Sequence, residues 1–357
     1  MTSDKPKTKE LKKKLGYILP LILTGIFLFF SFRNVDLGES LNIITDVAPL
    51  WIFVYLIVFY LSHLIRAVRW KVIISSVKPD ASVLNLFGTV MIGYGINCAV
   101  PRLGEIYRAM FLGKWENLSR TSLLGTIIVE RVIDIFSFVT AVLVSVMVFP
   151  GNLLKEFTWL ESTIYFGFGM ILLVIVFLII VVRKREKFYS GIIKIVDKFS
   201  SRWTEKLVYI FEMLANGFSS LQGVKNYFYS LFLTVLMLLL YAVTNYVGFF
   251  MMRMDAIQPV TFGMAWILMT ISALGVAVPT PGGTGSYHAF VIIVLVNLFN
   301  FSTETSAAYA LFTHFITYVV FITSTFILIY CINKRRVKKG EPSENLLSVF
   351  KNKPVDE

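Results

Sequence analysis

The sequence predicts an all-α, polytopic helical membrane protein with about six spanning helices plus two helical hairpins broken by glycine and proline. Hydrophobic residues make up 56% of the 357 residues and charged residues only 16%, which is too apolar for one soluble domain. The apolar residues form runs close to the roughly 20 needed to cross the hydrocarbon core. Two short segments, AVPRLGE at 99–105 and AVPTPGG at 277–283, follow such runs and share the pattern Ala-Val-Pro-x-x-Gly.

The first apolar run, 15–32, is predicted to be a retained helix. It lacks a small-residue cleavage site and further apolar runs follow it, so a signal peptide is disfavoured. Five other runs predict single spans, at 49–65, 125–149, 162–182, 228–250 and 308–332. The two cysteines, Cys98 and Cys331, lie in apolar segments and indicate neither a disulfide framework nor a metal site.

The net charge of +12 lies at the flanks of the apolar runs, where basic residues determine orientation. With both termini in the cytoplasm, 31 of the 34 lysines and arginines lie on the cytoplasmic side of the cytoplasmic (inner) membrane. The exceptions are Arg33, Lys155 and Arg253. A charge distributed in this way argues against a nucleic-acid partner.

This orientation divides the chain into a membrane domain and polar segments. A basic cytoplasmic tail covers 1–14, and the membrane domain covers 15–332, with a cytoplasmic amphipathic segment at 183–227. A cytoplasmic tail covers 333–357, and its polar part after Lys339 is expected to be unstructured.

The first broken run must return to the side from which it entered, because a single crossing would put the basic cluster 183–187 on the wrong face. By the same parity, the second broken run starts and ends on the outer side. The apolar return after the first break is 106–113, about 12 Å of helix against a core of roughly 30 Å. The hairpin 83–113 is therefore predicted to be re-entrant, and 261–299 to enter from the opposite face, as in inverted repeats. Two full-length hairpins give the same parity and remain an alternative.

The breaks themselves predict a substrate site. Proline removes a backbone donor and glycine frees the dihedral angles, so the chain exposes polar backbone groups that lipid cannot satisfy. Such groups must be buried in protein or line a polar cavity, and paired breaks in two halves of a membrane protein point to a binding site. The residues that break the helices are Pro101, Gly104, Pro279 and Pro281.

Six charged residues lie beside the first break and in the helix that follows. They are Arg102, Glu105, Arg108, Glu130, Arg131 and Asp134. The spacing of three residues from Arg102 to Arg108 predicts one helical face. Each charge would cost about 2.5–3.5 kcal/mol at mid-bilayer, so we expect a paired network in which Arg102 and Arg108 bind a phosphate-bearing headgroup. A cytoplasmic loop, with 130–134 at the headgroup boundary, is the alternative.

The second break, PTPGGTGSYH at 279–288, carries no charge except potentially His288. Its glycines, Gly282, Gly283 and Gly285, and the helix start at Ser286 resemble a backbone nest that could hold a phosphate. A tight turn with close helix packing is the alternative. Ser286 and His288 are too close in sequence to act as nucleophile and base. With no HExxH or Walker pattern either, we expect neither an enzyme nor a cofactor or metal site.

Four motifs in one order also carry a family resemblance: RAVRW at 66–70, PRLGEIYR at 101–108, ERVID at 130–134 and PTPGGTGSYH at 279–288. They resemble the flippase-like integral membrane family that includes the transmembrane region of lysylphosphatidylglycerol synthases, over roughly 15–332. The resemblance implies a helical domain associated with moving lipid between leaflets. Family members usually carry a glutamate where this chain has His288. The aminoacyl-transferring domain of the synthases is absent, so lipid aminoacylation is not implied.

The expected function is translocation of a phospholipid or a lipid-linked anionic headgroup across the cytoplasmic membrane, with membrane lipid as the partner. Two alternatives remain. One is a secondary transporter of a small anion. The other is a non-transporting accessory protein of envelope lipid or polysaccharide synthesis, whose partners would be envelope glycosyltransferases or lipid-synthesis enzymes. The sequence carries no signal for an oligomeric state.

Overall fold

The fold is known from a computed structural model, which describes residues 5–151, 153–162, 164–169, 172 and 224–350. The side chains of residues 5–17 and of Val224 lie outside this description. No residue in the described ranges lies in a β-strand, and the regular structure there is helical. The predicted all-α class is therefore confirmed for the described part of the chain.

The N-terminal region forms three helices, α1 (Lys5–Phe32), α2 (Leu37–Thr45) and α3 (Pro49–Ile73). The axes of α1 and α2 differ by 85° across a short break. Asp36 ends this break as the N-cap of α2, because its carboxylate accepts the Glu39 backbone N–H at 3.0 Å. The predicted span 15–32 thus lies within α1.

The first broken hairpin consists of α4 (Val83–Ala99) and α5 (Gly104–Glu116). Gly104 begins α5, and its N–H donates to Asn97 Oδ1 at 2.7 Å. A side chain at Gly104 would collide with the Gly93 carbonyl, so glycine permits this close approach. Helix α5 has 13 residues, about 20 Å, and is longer than the predicted return segment 106–113.

Helix α6 (Arg120–Val148) follows and covers nearly all of the predicted span 125–149. The short helix α7 (Leu153–Glu156) comes next. Most of the predicted span 162–182, and 183–223 of the predicted amphipathic segment, lie outside the described residues. The remainder of that segment, 224–227, is the first turn of α8 (Val224–Met251) and so belongs to an apolar helix.

The second broken hairpin consists of α9 (Phe262–Ala277) and α10 (Ser286–Asn297), and α11 (Thr303–Lys338) follows. Three described helices are long and apolar enough to cross a membrane: α3, α8 and α11. The bent pair of α1 and α2 gives a fourth if it counts as one span, so the described residues supply fewer than the predicted six. Helices α4 and α9 are apolar but short, with 17 and 16 residues. Their re-entrant placement stays a prediction.

The described chain folds as two compact units. Unit 1 consists of Met1–Tyr60, Met91–Gly104 and Leu240–Ile327. Unit 2 consists of Leu61–Val90, Glu105–Leu239 and Leu328–Glu357. The second break belongs to unit 1, and Glu105, Arg108 and the ERVID motif belong to unit 2.

The tail after Lys339 was expected to be unstructured, and this is wrong up to Phe350. In unit 2 the Val349 side chain is buried, and the Val349 backbone carbonyl accepts a hydrogen bond from Arg120 at 3.2 Å. Glu344 is only 2% exposed. The Phe350 ring packs against an aromatic side chain of α5. These contacts fold the segment onto α5 and α6 because it carries apolar residues among its polar ones.

Candidate functional site

A buried cluster of charged side chains lies in unit 2. We call it the charge network, and its members are Arg66, Arg69, Arg108, Glu130 and Asp134. Their side chains are 5%, 0%, 5%, 0% and 18% exposed, respectively. Helix α3 supplies the first two arginines, α5 supplies the third and α6 supplies both carboxylates.

Each carboxylate of the charge network is shared between arginines. Glu130 lies 2.6 Å from Arg66, 3.3 Å from Arg69 and 2.7 Å from Arg108. Asp134 lies 2.7 Å from Arg66 and 2.5 Å from Arg69. The spacing of four residues on α6 places both carboxylates on one helical face, and the spacing of three on α3 does the same for its arginines. The network therefore behaves as one unit rather than as separate ion pairs.

Arg108 is held in a fixed orientation by an aromatic ring as well as by Glu130. Its guanidinium carbon lies 4.3 Å from the centre of the Trp70 ring, which gives a cation–π interaction. Trp70 is fully buried, and its indole N–H donates to Thr126 Oγ1 on α6 at 3.1 Å. Helix α8 also contributes, since Arg69 donates to Thr234 Oγ1 at 3.1 Å.

Glu105 and Arg131 lie at the edge of the charge network. Their side chains are 28% and 41% exposed, and their closest charged atoms are 3.9 Å apart. Arg131 also lies 3.6 Å from Asp134, three residues along α6. Half-exposed pairs of this kind contribute little to stability. Glu105 was predicted to belong to a paired network, and its ion-pair partner among the described residues is Arg131.

Several buried polar atoms in and around the network have no hydrogen-bond partner among the described residues. They include Nε of Arg69, Nε of Arg108, Oε2 of Glu105 and Oγ of Ser230. A buried donor or acceptor without a partner costs about 1–3 kcal/mol, so native proteins seldom leave such groups unsatisfied. Their concentration at one site marks the charge network as a place where a polar ligand would be stabilised.

Arg102 belongs to a different unit from the charge network, and its predicted part in a paired network stays a prediction. It belongs to unit 1, where its exposed side chain donates to the Ala277 carbonyl at 3.3 Å. Its backbone φ is 63°, and it precedes the start of α5 at Gly104. The spacing had predicted that Arg102 shares a helical face with Glu105 and Arg108. Because Arg102 lies outside the helix, it does not share that face.

Arg66 and Arg69 belong to the network although the sequence pattern did not predict it. Both lie near the end of an apolar helix, where basic residues are expected from the positive-inside rule alone. The available signal was their spacing of three residues, with Trp70 following directly. On a helix this spacing aligns two guanidinium groups along one face.

The second break, in unit 1, contains the three predicted glycines in left-handed conformations. The φ angles are 53° at Gly282, 80° at Gly283 and 85° at Gly285. A β-carbon at Gly285 would lie 2.9 Å from both the Phe27 β-carbon and the Thr24 carbonyl oxygen of α1. The close helix packing considered as an alternative is thus present at Gly285.

The polar groups at the start of α10 are largely satisfied from within the break. Ser286 Oγ lies 3.0 Å from Thr280 Oγ1 and 3.2 Å from the Gly283 carbonyl. His288 is 3% exposed, and its Nδ1 accepts the Gly285 backbone N–H at 3.2 Å. The Gly285 N–H is therefore not free for an anion. Anion binding at this break stays a prediction.

His288 occupies the third helical position of α10, from which a side chain can reach back to the N-cap residue. Glutamate and glutamine commonly make this bond in a capping box. His288 makes the equivalent bond with an imidazole nitrogen. Its ring also lies 4.6 Å from that of His314 and 5.5 Å from that of Phe32, measured between centroids. The environment of His288 is thus a packed interior in which it acts as a cap.

The described residues contain no group of three or more His, Cys, Asp or Glu side chains that could hold a metal ion.

Comparison with known proteins identifies the family. The family model described as "Lysylphosphatidylglycerol synthase TM region" matches residues 17–324. The chain belongs to this family. The match includes the motifs at 66–70, 101–108, 130–134 and 279–288, so the resemblance deduced from them is confirmed. Membership, together with the apolar helices, makes this chain a multi-pass membrane protein.

Two archaeal relatives extend this comparison. A UPF0104 membrane protein of Methanocaldococcus jannaschii is 24% identical over 329 residues, covering 89% of this chain and 96% of that protein. A UPF0104 membrane protein of Methanothermobacter thermautotrophicus is 27% identical over 105 residues, covering 29% of this chain and 31% of that protein. No solved structure matches the chain.

Proposed function

We propose that this protein is a translocase that moves a phospholipid, or a lipid-linked anionic headgroup, between the leaflets of the cytoplasmic membrane. We further propose that it is not an enzyme, and that membrane lipid is its partner. The observation that carries the proposal is the charge network, in which Arg69 and Arg108 each keep a buried donor without a hydrogen-bond partner among the described residues. Membership of a membrane family related to lipid synthases is consistent with a lipid substrate.

The chemistry of the charge network suits a phosphate group. A guanidinium presents parallel N–H donors that match two oxygens of a phosphate, and it stays charged even when buried. Charges in a low-dielectric interior interact more strongly than in water. Arg69 and Arg108 each have a buried Nε without a partner among the described residues, so a phosphate oxygen would add a hydrogen bond without displacing one.

Glu130 and Asp134 have a role of their own in this proposal. They hold the arginines in place when no headgroup is bound, because each contacts more than one of them. When a phosphate enters, an arginine can exchange a shared carboxylate oxygen for a phosphate oxygen. This exchange limits the cost of moving charge, since the guanidinium keeps an anionic partner throughout.

A proteoliposome assay with matched variants tests the proposal. Wild-type protein is expected to move a fluorescent phosphatidylglycerol, or a polyprenyl-phosphate analogue, between leaflets. Arg108→Ala is expected to reduce the rate at least tenfold, whereas Lys114→Ala on the same helix should leave it within about twofold. Retained movement in Arg108→Ala would remove the charge network from the mechanism. Uptake of free inorganic phosphate without lipid movement would favour an anion transporter, and no movement of either would favour an accessory protein.

The proposed orientation places both termini in the cytoplasm, on the basis of the distribution of basic residues. In a background with both native cysteines replaced by serine, Lys155→Cys and Arg253→Cys should react with an impermeant thiol reagent added outside intact cells. Lys78→Cys and Lys338→Cys should react only after permeabilisation. Labelling of residue 338 from outside intact cells would contradict the proposed orientation.

A further inference from the structure

Tyr318, in the part of α11 that belongs to unit 1, contacts both breaks of the chain. Its hydroxyl oxygen lies 3.3 Å from the Cys98 carbonyl oxygen and 2.6 Å from the Pro281 carbonyl oxygen. Cys98 is in the last turn of α4, directly before the first break, and Pro281 is in the second break. One hydroxyl group therefore reaches two segments that are far apart in sequence.

The Cys98 carbonyl lies at the end of a helix, and the Pro281 carbonyl lies in the turn of the second break. Helix α4 ends at Ala99, and the last carbonyls of a helix have no partner within it. The Pro281 carbonyl accepts the Thr284 backbone N–H at 2.9 Å and also lies 2.7 Å from Thr284 Oγ1. Thr284 Oγ1 is in turn 2.7 Å from the Tyr318 hydroxyl. The two hydroxyls and two carbonyls form one connected group.

Several arrangements of the two hydroxyl protons are possible, because Thr284 Oγ1 also lies 3.4 Å from His314 Nε2, and the two that follow differ at Cys98. A hydroxyl has one hydrogen, so Tyr318 donates to one carbonyl at a time. In the first arrangement Thr284 donates to Pro281, and Tyr318 donates to Cys98. In the second arrangement Thr284 donates to Tyr318, Tyr318 donates to Pro281, and the Cys98 carbonyl loses its bond to Tyr318. Rotation of two hydroxyl groups thus decides whether α11 holds the end of α4.

The conformation of the second break positions the Tyr318 ring. A β-carbon at Gly282 would collide with the Tyr318 hydroxyl and lie 2.7 Å from a ring carbon, so the ring fits only against a glycine. The His314 ring packs on Tyr318 from the same helix, with centroids 4.6 Å apart. Arg102 makes a parallel connection, since it lies in the first break and donates to the last residue of α9, Ala277.

We propose that Tyr318 is a positioning residue that couples the two breaks, so that a change of hydrogen bonding in the second break alters how firmly the first is held. The coupling would let both broken hairpins open together during transport, a consequence that rests on the proposed function. The coupling itself is a property of the fold and can be measured without any lipid movement.

The native Cys98 provides the reporter. In a Cys331→Ser background it is the single cysteine of the chain, and its side chain is 9% exposed. Its rate of reaction with N-ethylmaleimide in detergent measures how often the end of α4 opens. Tyr318→Phe is expected to raise this rate about twofold to tenfold, as loss of one buried hydrogen bond implies. Thr284→Val should raise the labelling rate similarly, because the Tyr318 hydroxyl then donates its hydrogen bond to the Pro281 carbonyl instead of the Cys98 carbonyl.

The control is Tyr309→Phe, on the same helix. Tyr309 is fully buried and donates to the Asn245 carbonyl at 3.1 Å, so the variant removes a similar bond without affecting either break. Its Cys98 labelling rate should equal that of the parent. Thr284→Ser, which keeps the hydroxyl, should also label at the parent rate and shows whether the site tolerates substitution.

The decisive measurement is the double variant. Coupling through Tyr318 predicts that Thr284→Val has no further effect on Cys98 labelling once Tyr318→Phe is present. An equal increase in both backgrounds, or no increase in either, would overturn the inference. An effect of Tyr309→Phe as large as that of Tyr318→Phe would also overturn it. If the double variant shows coupling but the protein moves no lipid, this inference stands and the proposed function is rejected. If the protein moves lipid but shows no coupling, the proposed function stands and this inference is rejected.

Discussion

The second break in unit 1 and the charge network in unit 2 satisfy buried polar groups in different ways. At the start of α10 the bonds are neutral and local: Ser286 Oγ lies 3.0 Å from Thr280 Oγ1, six residues away, and His288 accepts the backbone N–H of Gly285, three residues away. In the charge network the partners are charged and distant, with separations of 61 residues from Arg69 to Glu130 and 165 residues from Arg69 to Thr234. The capping of α10 is therefore encoded by a short segment, whereas the network exists only after several helices have packed.

This difference affects the expected cost of substitution. A neutral bond in the break contributes about 0.5–1.5 kcal/mol, and a local segment can replace it with another hydroxyl or backbone partner. A charge in the network has no such substitute, because removing one member leaves others buried without their partner.

Glu130→Ala is expected to have the largest effect on stability. Glu130 is fully buried and contacts three arginines, so its removal leaves them with Asp134 as the remaining carboxylate of the network. We expect the free energy of unfolding to fall by roughly 3–5 kcal/mol, measured by denaturant unfolding in detergent. Glu105→Ala is the matched control and should cost less than about 1 kcal/mol, because that side chain is 28% exposed. Equal costs for the two variants would mean that the network is solvated.

Gly285→Val is expected to have the next largest effect. The glycine has a φ of 85°, and a β-carbon would lie 2.9 Å from the α1 backbone at Thr24. Backbone strain and overpacking together should lower the free energy of unfolding by roughly 2–4 kcal/mol. Measurement of the unfolding midpoint in detergent would detect this loss.

Gly283→Ala separates packing from a role in binding. Its φ is 80°, but a β-carbon there would lie 3.4 Å from Val276, which is near ordinary contact. Backbone strain alone should cost about 1–2 kcal/mol, so the protein should remain folded and monodisperse. Loss of lipid movement in this folded variant would support a headgroup contact at the second break. Activity equal to wild type would confine the break to a structural role.

His288→Ala is expected to have the smallest effect. It removes the acceptor for the Gly285 N–H and should cost about 0.5–2 kcal/mol, the usual range for loss of an N-terminal cap. His288→Gln should retain most of this stability, because a glutamine at this position can accept the same N–H. The difference between the two midpoints of thermal unfolding measures the cap. Equal midpoints would show that His288 contributes by packing alone.

The sequence was informative where the physical cause is local. Pro101 and Gly104 mark the first break because proline cannot continue the hydrogen-bond ladder and glycine permits close approach. Gly282 and Gly285 follow the same logic, since both adopt left-handed angles that other residues avoid. Apolar run length predicted α3, α8 and α11. The order of four motifs was enough to identify the family.

The sequence was less informative where partners come from separate helices. Spacing suggested that Arg102 joins Arg108, but Arg102 lies in a left-handed turn outside α5 and bonds to a backbone carbonyl. Arg66 and Arg69 were counted only among the basic residues of the cytoplasmic side, although both contact Glu130. Charge patterns along one helix cannot reveal the helix that packs against it.

The amino-acid sequence by itself determined that this chain is helical, that it lies in a membrane, and where its two broken hairpins occur. These properties follow from side-chain hydrophobicity and backbone dihedral limits, which act over a few residues. The tertiary structure decided which arginines share Glu130, that Trp70 orients Arg108, and that Tyr318 reaches both breaks. Such pairings depend on how separate helices pack, because hydrogen bonds and ion pairs act only over a few ångströms and local pattern cannot specify a distant partner.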